Sequence, residues 1–248
     1  MAGHSKWANI KYRKGAQDAK RAKLFTKLGK ELTIAAKEAG GDPNFNPRLR
    51  LAIDKAKAAN MPKDNLERAI KKGTGELAGV EYVEIRYEGY GPEGTAFIVD
   101  VVTDNRNRSA SEVRSTFSKK GGNLGTDGAV AWMFQKKGEI LLDANGIDSE
   151  EFMMAALEAG AEDMVEDGDE FQVLTEPTEL QMVADALKAA GYTYTEAEVG
   201  MIPDNKVNIT DLEVAKKAMA LYEALEDLDD VNDVYVNFEI ADDLLEQL

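Results

Sequence analysis

Apolar positions in the first third of the chain recur with a helical period. Phe25, Leu28, Leu32, Ala35, Ala36 and Ala39 stand three or four residues apart and predict a helix from Gln17 to about Glu38, stopped by Gly40-Gly41. Lys20, Lys23, Lys27, Lys30 and Lys37 fall on roughly the opposite side of that helix. Asn46-Pro47 reads as an N-cap and first turn, with Leu49, Ile53 and Ala56 as the buried stripe of a second helix. Pro62 and Gly73 bracket a short third helix containing Leu66, Ala69 and Ile70. Residues 1–15 have neither period and read as a basic, partly flexible arm. The stretch GTGELAG (73–79) reads as a hinge.

Beyond it the period changes to two. YVEIRYE (82–88) and TAFIVDVVT (95–103) predict strands joined by the turn-rich GYGPEG (89–94). A helix over 109–119 follows, opened by the capping-box spacing of Ser109 and Glu112 and closed by Gly121-Gly122, and then a strand over 129–135. Residues 139–202 carry the order strand, helix, two short strands, helix, strand, which is the ferredoxin-like pattern. A helix over 211–227 and a strand over 231–238 supply what the segment before 139 lacks.

The expected fold class is therefore α+β with three domains: an N-terminal three-helix domain followed by two α/β sandwich (ferredoxin-like) domains, the last inserted into the middle one. The expected bounds are 1–79 for the arm plus three-helix domain, 80–137 with 204–248 for a discontinuous middle domain, and 138–203 for the insert. A linear run of three domains is the competing arrangement.

Charge sharpens this division. The 248 residues carry a net charge of −16, yet residues 1–75 hold 18 Lys and Arg against 7 acidic residues. Residues 106–137 hold 7 basic against 2 acidic, and residues 138–248 hold 4 against 30. Such polarisation points to a polyanion-binding surface at one end and an acidic body that repels nucleic acid or docks a basic protein partner. No apolar run is longer than AVAWMF (129–134), which is too short to span a bilayer, and the N-terminal residues show no apolar h-region, so no secretory signal is expected. A cytoplasmic protein is the expectation.

The candidate contacts fall into three groups. The arm offers Lys6, Lys11, Arg13 and Lys14 for phosphates, with Trp7 either stacking on a base or folding back as a hydrophobic clip. The lysine face of the first helix is the second group. Few acidic residues interleave it, which favours polyanion contact over a solvated surface; Arg48 and Arg50 extend it. The third is the island DNRNRS (104–109) with Arg114, Lys119 and Lys120. There Arg106 and Arg108 approach a helix start, where free N–H groups favour phosphate, unless they pair with local carboxylates.

Enzymatic chemistry finds little support. There is one histidine, His4, no cysteine, no G-x-S-x-G and no phosphate-loop motif, so no cofactor, catalytic residue or metal site is expected. The acidic runs EDMVEDGDE (162–170) and EDLDDVND (226–233) lack calcium-loop spacing, and DANGIDSEE (143–151) fails it at Ile147.

Several segments carry a family resemblance: GHSKWANIKYRK (3–14), QDAKRAKLFTKL (17–28), NPRLRLAIDKAKAANMPKDNLERAIKKG (46–73), EGYGPEGTA (88–96), TDNRNRS (103–109) and KKGGNLG (119–125). Together they resemble the YebC/PmpR family, which includes the mitochondrial translational activator of cytochrome oxidase. Tyr12 replaces the family's usual histidine or lysine, and Ser109 its common threonine; both changes are chemically mild. The resemblance implies three domains and a non-enzymatic, nucleic-acid-binding regulator of gene expression. DNA-binding control of transcription is the family's usual description, and a ribosome-associated translation factor contacting rRNA or tRNA is the alternative.

Overall fold

The computed structural model describes residues 17–245 and 247–248. In chain order the elements begin with α1 (Gln17–Ala39), α2 (Pro47–Ala58), α3 (Lys63–Gly73), β1 (Val83–Tyr90), β2 (Ala96–Thr103), α4 (Arg106–Lys119) and β3 (Asn123–Leu124). Next come β4 (Phe134–Asp143), α5 (Ser149–Glu158), β5 (Asp163–Asp167), β6 (Glu170–Thr175), α6 (Leu180–Ala189) and β7 (Glu196–Pro203). The last are β8 (Val207–Ile209), α7 (Leu212–Glu226), β9 (Val231–Val236), β10 (Phe238–Ile240) and the single turn α8 (Asp242–Leu245). The protein is α+β. Among the described residues no helix is long and apolar enough to cross a membrane.

Two compact units are formed, one by Phe134–Asp204 and the other by the described residues up to Met133 together with Asn205–Leu248. In the larger unit the helical stripes close on one another. Leu28, Leu32, Ala35, Leu49, Ile53, Ala56 and Ala69 share a core. The buried Asn46 joins two helix ends. Its carbonyl accepts the Leu49 N–H at 3.0 Å, and its amide donates to the Ala35 and Gly40 carbonyls at 2.7 and 2.8 Å. One side chain thus satisfies the start of α2 and the end of α1. At Gly73 an added Cβ would lie 2.3 Å from the Thr33 carbonyl oxygen, so α3 ends in backbone contact with α1.

The sheet of this unit has the order β3-β1-β2-β9, its described pairs all antiparallel. β2 is buried along almost its whole length between β1 and β9, as its unbroken apolar run requires. α4 and α7 pack on the sheet, and Phe117 of α4 meets Phe97 edge-on at 6.0 Å. β9 belongs to the chain after 204, so this sheet is completed across the intervening unit. The short parallel pair β8 and β10 has no counterpart in the sequence pattern.

Two local expectations are corrected. The fourth helix starts at Arg106 and not at Ser109, because Asn105 takes the cap and accepts the Arg108 N–H at 3.1 Å. Ser109 is buried and bonds Asp230 Oδ2 at 2.7 Å. Residues 129–135 are not one strand: Ala131–Met133 form a 3-10 turn, and a single long strand begins at Phe134. The N–H groups of Val130 and Ala131 are directed to the Glu88 carboxylate, which takes them out of any ladder.

The Phe134–Asp204 unit is a four-stranded antiparallel sheet of order β5-β6-β4-β7 with α5 and α6, the ferredoxin-like arrangement. Phe152 stacks on Phe171 at 4.7 Å in its core. Gly138 sits inside β4 where a Cβ would lie 2.2 Å from Thr175 Oγ1, so the glycine marks close packing and not a strand end.

Candidate nucleic-acid interface

Basic side chains of the described residues have two different fates. Lys23, Lys27 and Lys30 stand at i, i+4 and i+7 on α1, and all three turn onto the C-terminal end of α7. Lys23 Nζ donates to the Asp227 carbonyl at 2.8 Å, Lys27 Nζ to the Glu226 carbonyl at 2.8 Å, and Lys30 Nζ to the Asp229 carbonyl at 2.8 Å. These carbonyls lie at the negative end of the helix dipole and just beyond it, where ammonium groups are favoured. Lys30 goes furthest. It is 7% exposed, and its other two bonds reach the Val102 carbonyl at 3.1 Å and Asp230 Oδ1 at 2.8 Å.

Asp230 is the centre of this joint. Its second oxygen accepts from Thr103, from Ser109 and from both Nε and Nη2 of Arg108, the last at 2.7 Å. Burial opposes its charge, but the bonds from Lys30, Arg108 and Ser109 outweigh burial and hold the carboxyl well below the usual carboxylate range. Arg108 also binds Asp104 at 2.8 Å, and the two carboxylates raise its guanidinium's proton affinity.

The members of the expected lysine face all have partners within the fold, where their side chains are described. Lys30 is buried and satisfied inside the protein; Lys23 and Lys27 are committed to the 226–229 segment; Lys37 pairs with Glu81 at 2.7 Å. Arg48 is paired within the fold as well. It binds Glu31 at 3.0 Å, Glu38 at 2.9 Å and Glu84 on β1; burial lowers its pKa, but Glu84 and Glu31 outweigh burial and raise it. Arg50 is partly buried and is not a free cation either. Arg108 is exposed, but its guanidinium is paired with Asp230 and Asp104. The expected contacts Lys6, Trp7, Lys11, Arg13 and Lys14 lie outside the described residues, and so does the side chain of Lys20.

Arg106, Arg114, Lys119 and Lys120 behave differently. All four are exposed, and none has a carboxylate within ion-pair distance among the described residues. Arg106 and Arg114 stand two turns apart on α4 and both act on the phenol of Tyr87 on β1. Burial raises that phenol's pKa, and the two guanidiniums partly offset the rise. Lys119 and Lys120 end the helix, and the chain then pairs as β3 with Gly89 and Tyr90.

The same end of β1 holds a loop that displays an aromatic ring. Glu88 accepts the N–H groups of Gly128, Val130 and Ala131 at 2.8, 2.7 and 2.7 Å. Burial raises its pKa, but these bonds outweigh burial and keep it ionised. The Ala129 carbonyl accepts from Tyr90 Oη at 2.8 Å and from Trp132 Nε1 at 3.1 Å. Trp132, 71% exposed, is thus fixed on the surface, and Phe45 in the α1–α2 loop is 83% exposed. The sequence pattern missed both as well as Tyr87. Trp132 lay inside an apolar run read as a strand, whereas Phe45 stood outside any period, which was its available signal.

Comparison with known proteins covers almost all of the chain. Residues 5–76 match the model of the TACO1/YebC protein N-terminal domain, and residues 82–238 that of the TACO1/YebC second and third domain. A probable transcriptional regulatory protein of Fusobacterium nucleatum is 72% identical over 100% of both chains. One from Desulfotalea psychrophila is 58% identical over 100% of this chain and 99% of its own. The crystal structure of a conserved hypothetical protein from Aquifex aeolicus superposes with a TM-score of 0.87 at 47% identity, over 96% of this chain and 98% of that one.

Proposed function

Because the chain belongs to the TACO1/YebC family, we propose that it is a cytoplasmic, non-enzymatic regulator of gene expression that binds nucleic acid through the outer face of α4. The relatives' names speak for transcription regulation, and DNA is the polymer this reading takes. One observation carries the choice of surface: Arg106, Arg114, Lys119 and Lys120 are exposed and unpaired among the described residues, while Lys23, Lys27 and Lys30 of α1 bond to the 226–230 segment. Each phosphate neutralised releases counterions and contributes about 0.9 to the slope of log K against log salt on duplex DNA. The arm, with Lys6, Lys11, Arg13 and Lys14, adds to this attraction, and Trp132 offers a ring on which an unpaired base stacks.

A second reading, structured RNA on the ribosome, is favoured by the chemistry of α4. Its exposed residues include Arg106, Arg114 and Lys119 among serines, Asn107 and one carboxylate, Glu112, and its other face is packed on the sheet. Base-specific duplex readout needs several side chains aimed into a groove from one element. Isolated cations suit shape and phosphate recognition.

The test is a salt titration with a promoter duplex, a random duplex and a folded RNA. Discrimination between the two duplexes should stay under ~2 kcal/mol, against the ~4–10 of sequence-specific regulators. Binding to none of the three would remove the nucleic-acid reading. A promoter preference of about a thousandfold would establish a sequence-specific transcription factor and remove the RNA alternative.

A further inference from the structure

The Phe134–Asp204 unit has an apolar surface that its own fold leaves uncovered. Met153, Met154 and Leu157 on α5 are 42%, 64% and 50% exposed, and Met182 on α6 is 54% exposed. Met153 and Leu157 stand one turn apart, and Gly160 follows, its N–H bonded to the Leu157 carbonyl at 3.0 Å. A Cβ added at Gly160 would meet the Met182 methyl at 3.4 Å, so the α5 stripe continues onto α6. The inward stripes of the same helices, Phe152 with Ala156 and Val183 with Leu187, are fully buried. The outward residues are therefore a second apolar face and not an edge of the core.

Its surroundings have one sign. Glu150 stands one turn before Met153 and Met154, Glu158 one turn after Met154, and Glu179 and Asp185 one turn either side of Met182; all four are exposed. The unit as a whole holds 18 acidic residues against 3 basic. Contiguous exposed apolar surface rimmed by charge marks an interaction site. Methionine's unbranched, polarisable side chain lets such a surface fit a ligand helix without fixed complementarity.

We infer that the α5–α6 face docks a basic amphipathic helix of a partner protein, its apolar stripe on Met153, Met154, Leu157 and Met182 and its Lys or Arg residues on Glu150, Glu158, Glu179 and Asp185. This is independent of the α4 surface and survives if that reading fails.

The test uses the full chain and a fluorescent 18-residue Leu/Lys peptide, with leucines at i, i+3, i+4 and i+7, beside a scrambled isomer of equal charge. The amphipathic peptide should bind at least tenfold more tightly than the isomer. The Met154→Ser, Leu157→Ser, Met182→Ser variant should lose that advantage while keeping its melting temperature and its nucleic-acid affinity. Equal binding of both peptides, or an unaffected variant, would overturn the inference. So would concentration-dependent self-association abolished by the same substitutions, since the occupant would then be a second copy. Peptide binding that appears only after removal of residues 1–16 would assign the face to the chain's own arm and overturn it too.

Discussion

Two helices of one unit, α1 and α4, carry basic residues at helical spacing and look alike on paper, yet their cations do different things. On α1, Lys23, Lys27 and Lys30 meet the end of α7 some 200 residues later in the chain. On α4, Arg108 turns inward to the same Asp230, while Arg106, Arg114, Lys119 and Lys120 stay exposed and unpaired among the described residues. The difference lies in what each helix faces. α1 is laid against a helix C-terminus and the acidic run 226–230, which attract cations by dipole and by charge. The outer side of α4 faces solvent. A basic stripe is a binding surface only when the fold supplies no anion for it.

The most drastic way to break this comparison is to remove the partner. A chain ended at Met133 lacks α7, β9 and Asp230, so the lysines lose their acceptors and β2 loses a neighbour. It should show no cooperative thermal transition by calorimetry; a sharp transition like that of the full chain would show that the 205–248 segment is dispensable.

Asp230→Asn is the next largest step. It leaves Lys30 buried beside a neutral amide and should destabilise the protein by about 3–5 kcal/mol, the usual effect of breaking a buried ion pair on one side. Denaturant unfolding measures this, and a loss below about 1 kcal/mol would make the joint incidental. The same carboxylate sets an acid limit. Its pKa is depressed in the folded state, so its contribution is complete above the unfolded value of about 3.9 and is lost as the pH falls from there toward the folded value. Melting temperature should drop steeply below about pH 4 in the wild type and less steeply in Asp230→Asn.

The smallest effect separates a peripheral lysine from the buried one. Lys23 is substantially exposed beside exposed Asp227 and Asp229, so Lys23→Gln should change stability by less than about 1 kcal/mol. A loss as large as that of Asp230→Asn would mean that the joint acts as one network without a centre.

Much of the fold was legible because it is written locally. The stripe of α1, the Asn46-Pro47 cap and the β-α-β-β-α-β order of the second unit each depend on spacing within a few residues, and each is present. The start of α4 was misplaced because Asn105 and Ser109 are both competent caps, and only the buried demand of Asp230 assigns Ser109 elsewhere. The candidate site was less legible. Charge counting sees that Lys30 is basic and Asp230 acidic, but their encounter depends on how α7 returns to α1. Trp132 shows the same limit, because its display rests on Glu88, 44 positions earlier, accepting three backbone N–H groups.

The contrast between the helices can be measured directly by titrating binding of a folded RNA and a duplex DNA against salt for two variants. One replaces Arg106, Arg114, Lys119 and Lys120 with Gln; the other replaces Lys23 and Lys27 with Gln. The first should reduce the slope of log K against log salt by about 3 on duplex with its melting temperature unchanged, and the second should leave the slope within about 0.5 of wild type. An unchanged slope in the α4 variant, or a loss of more than about 1 in the α1 variant, would contradict the assignment of the binding surface to α4.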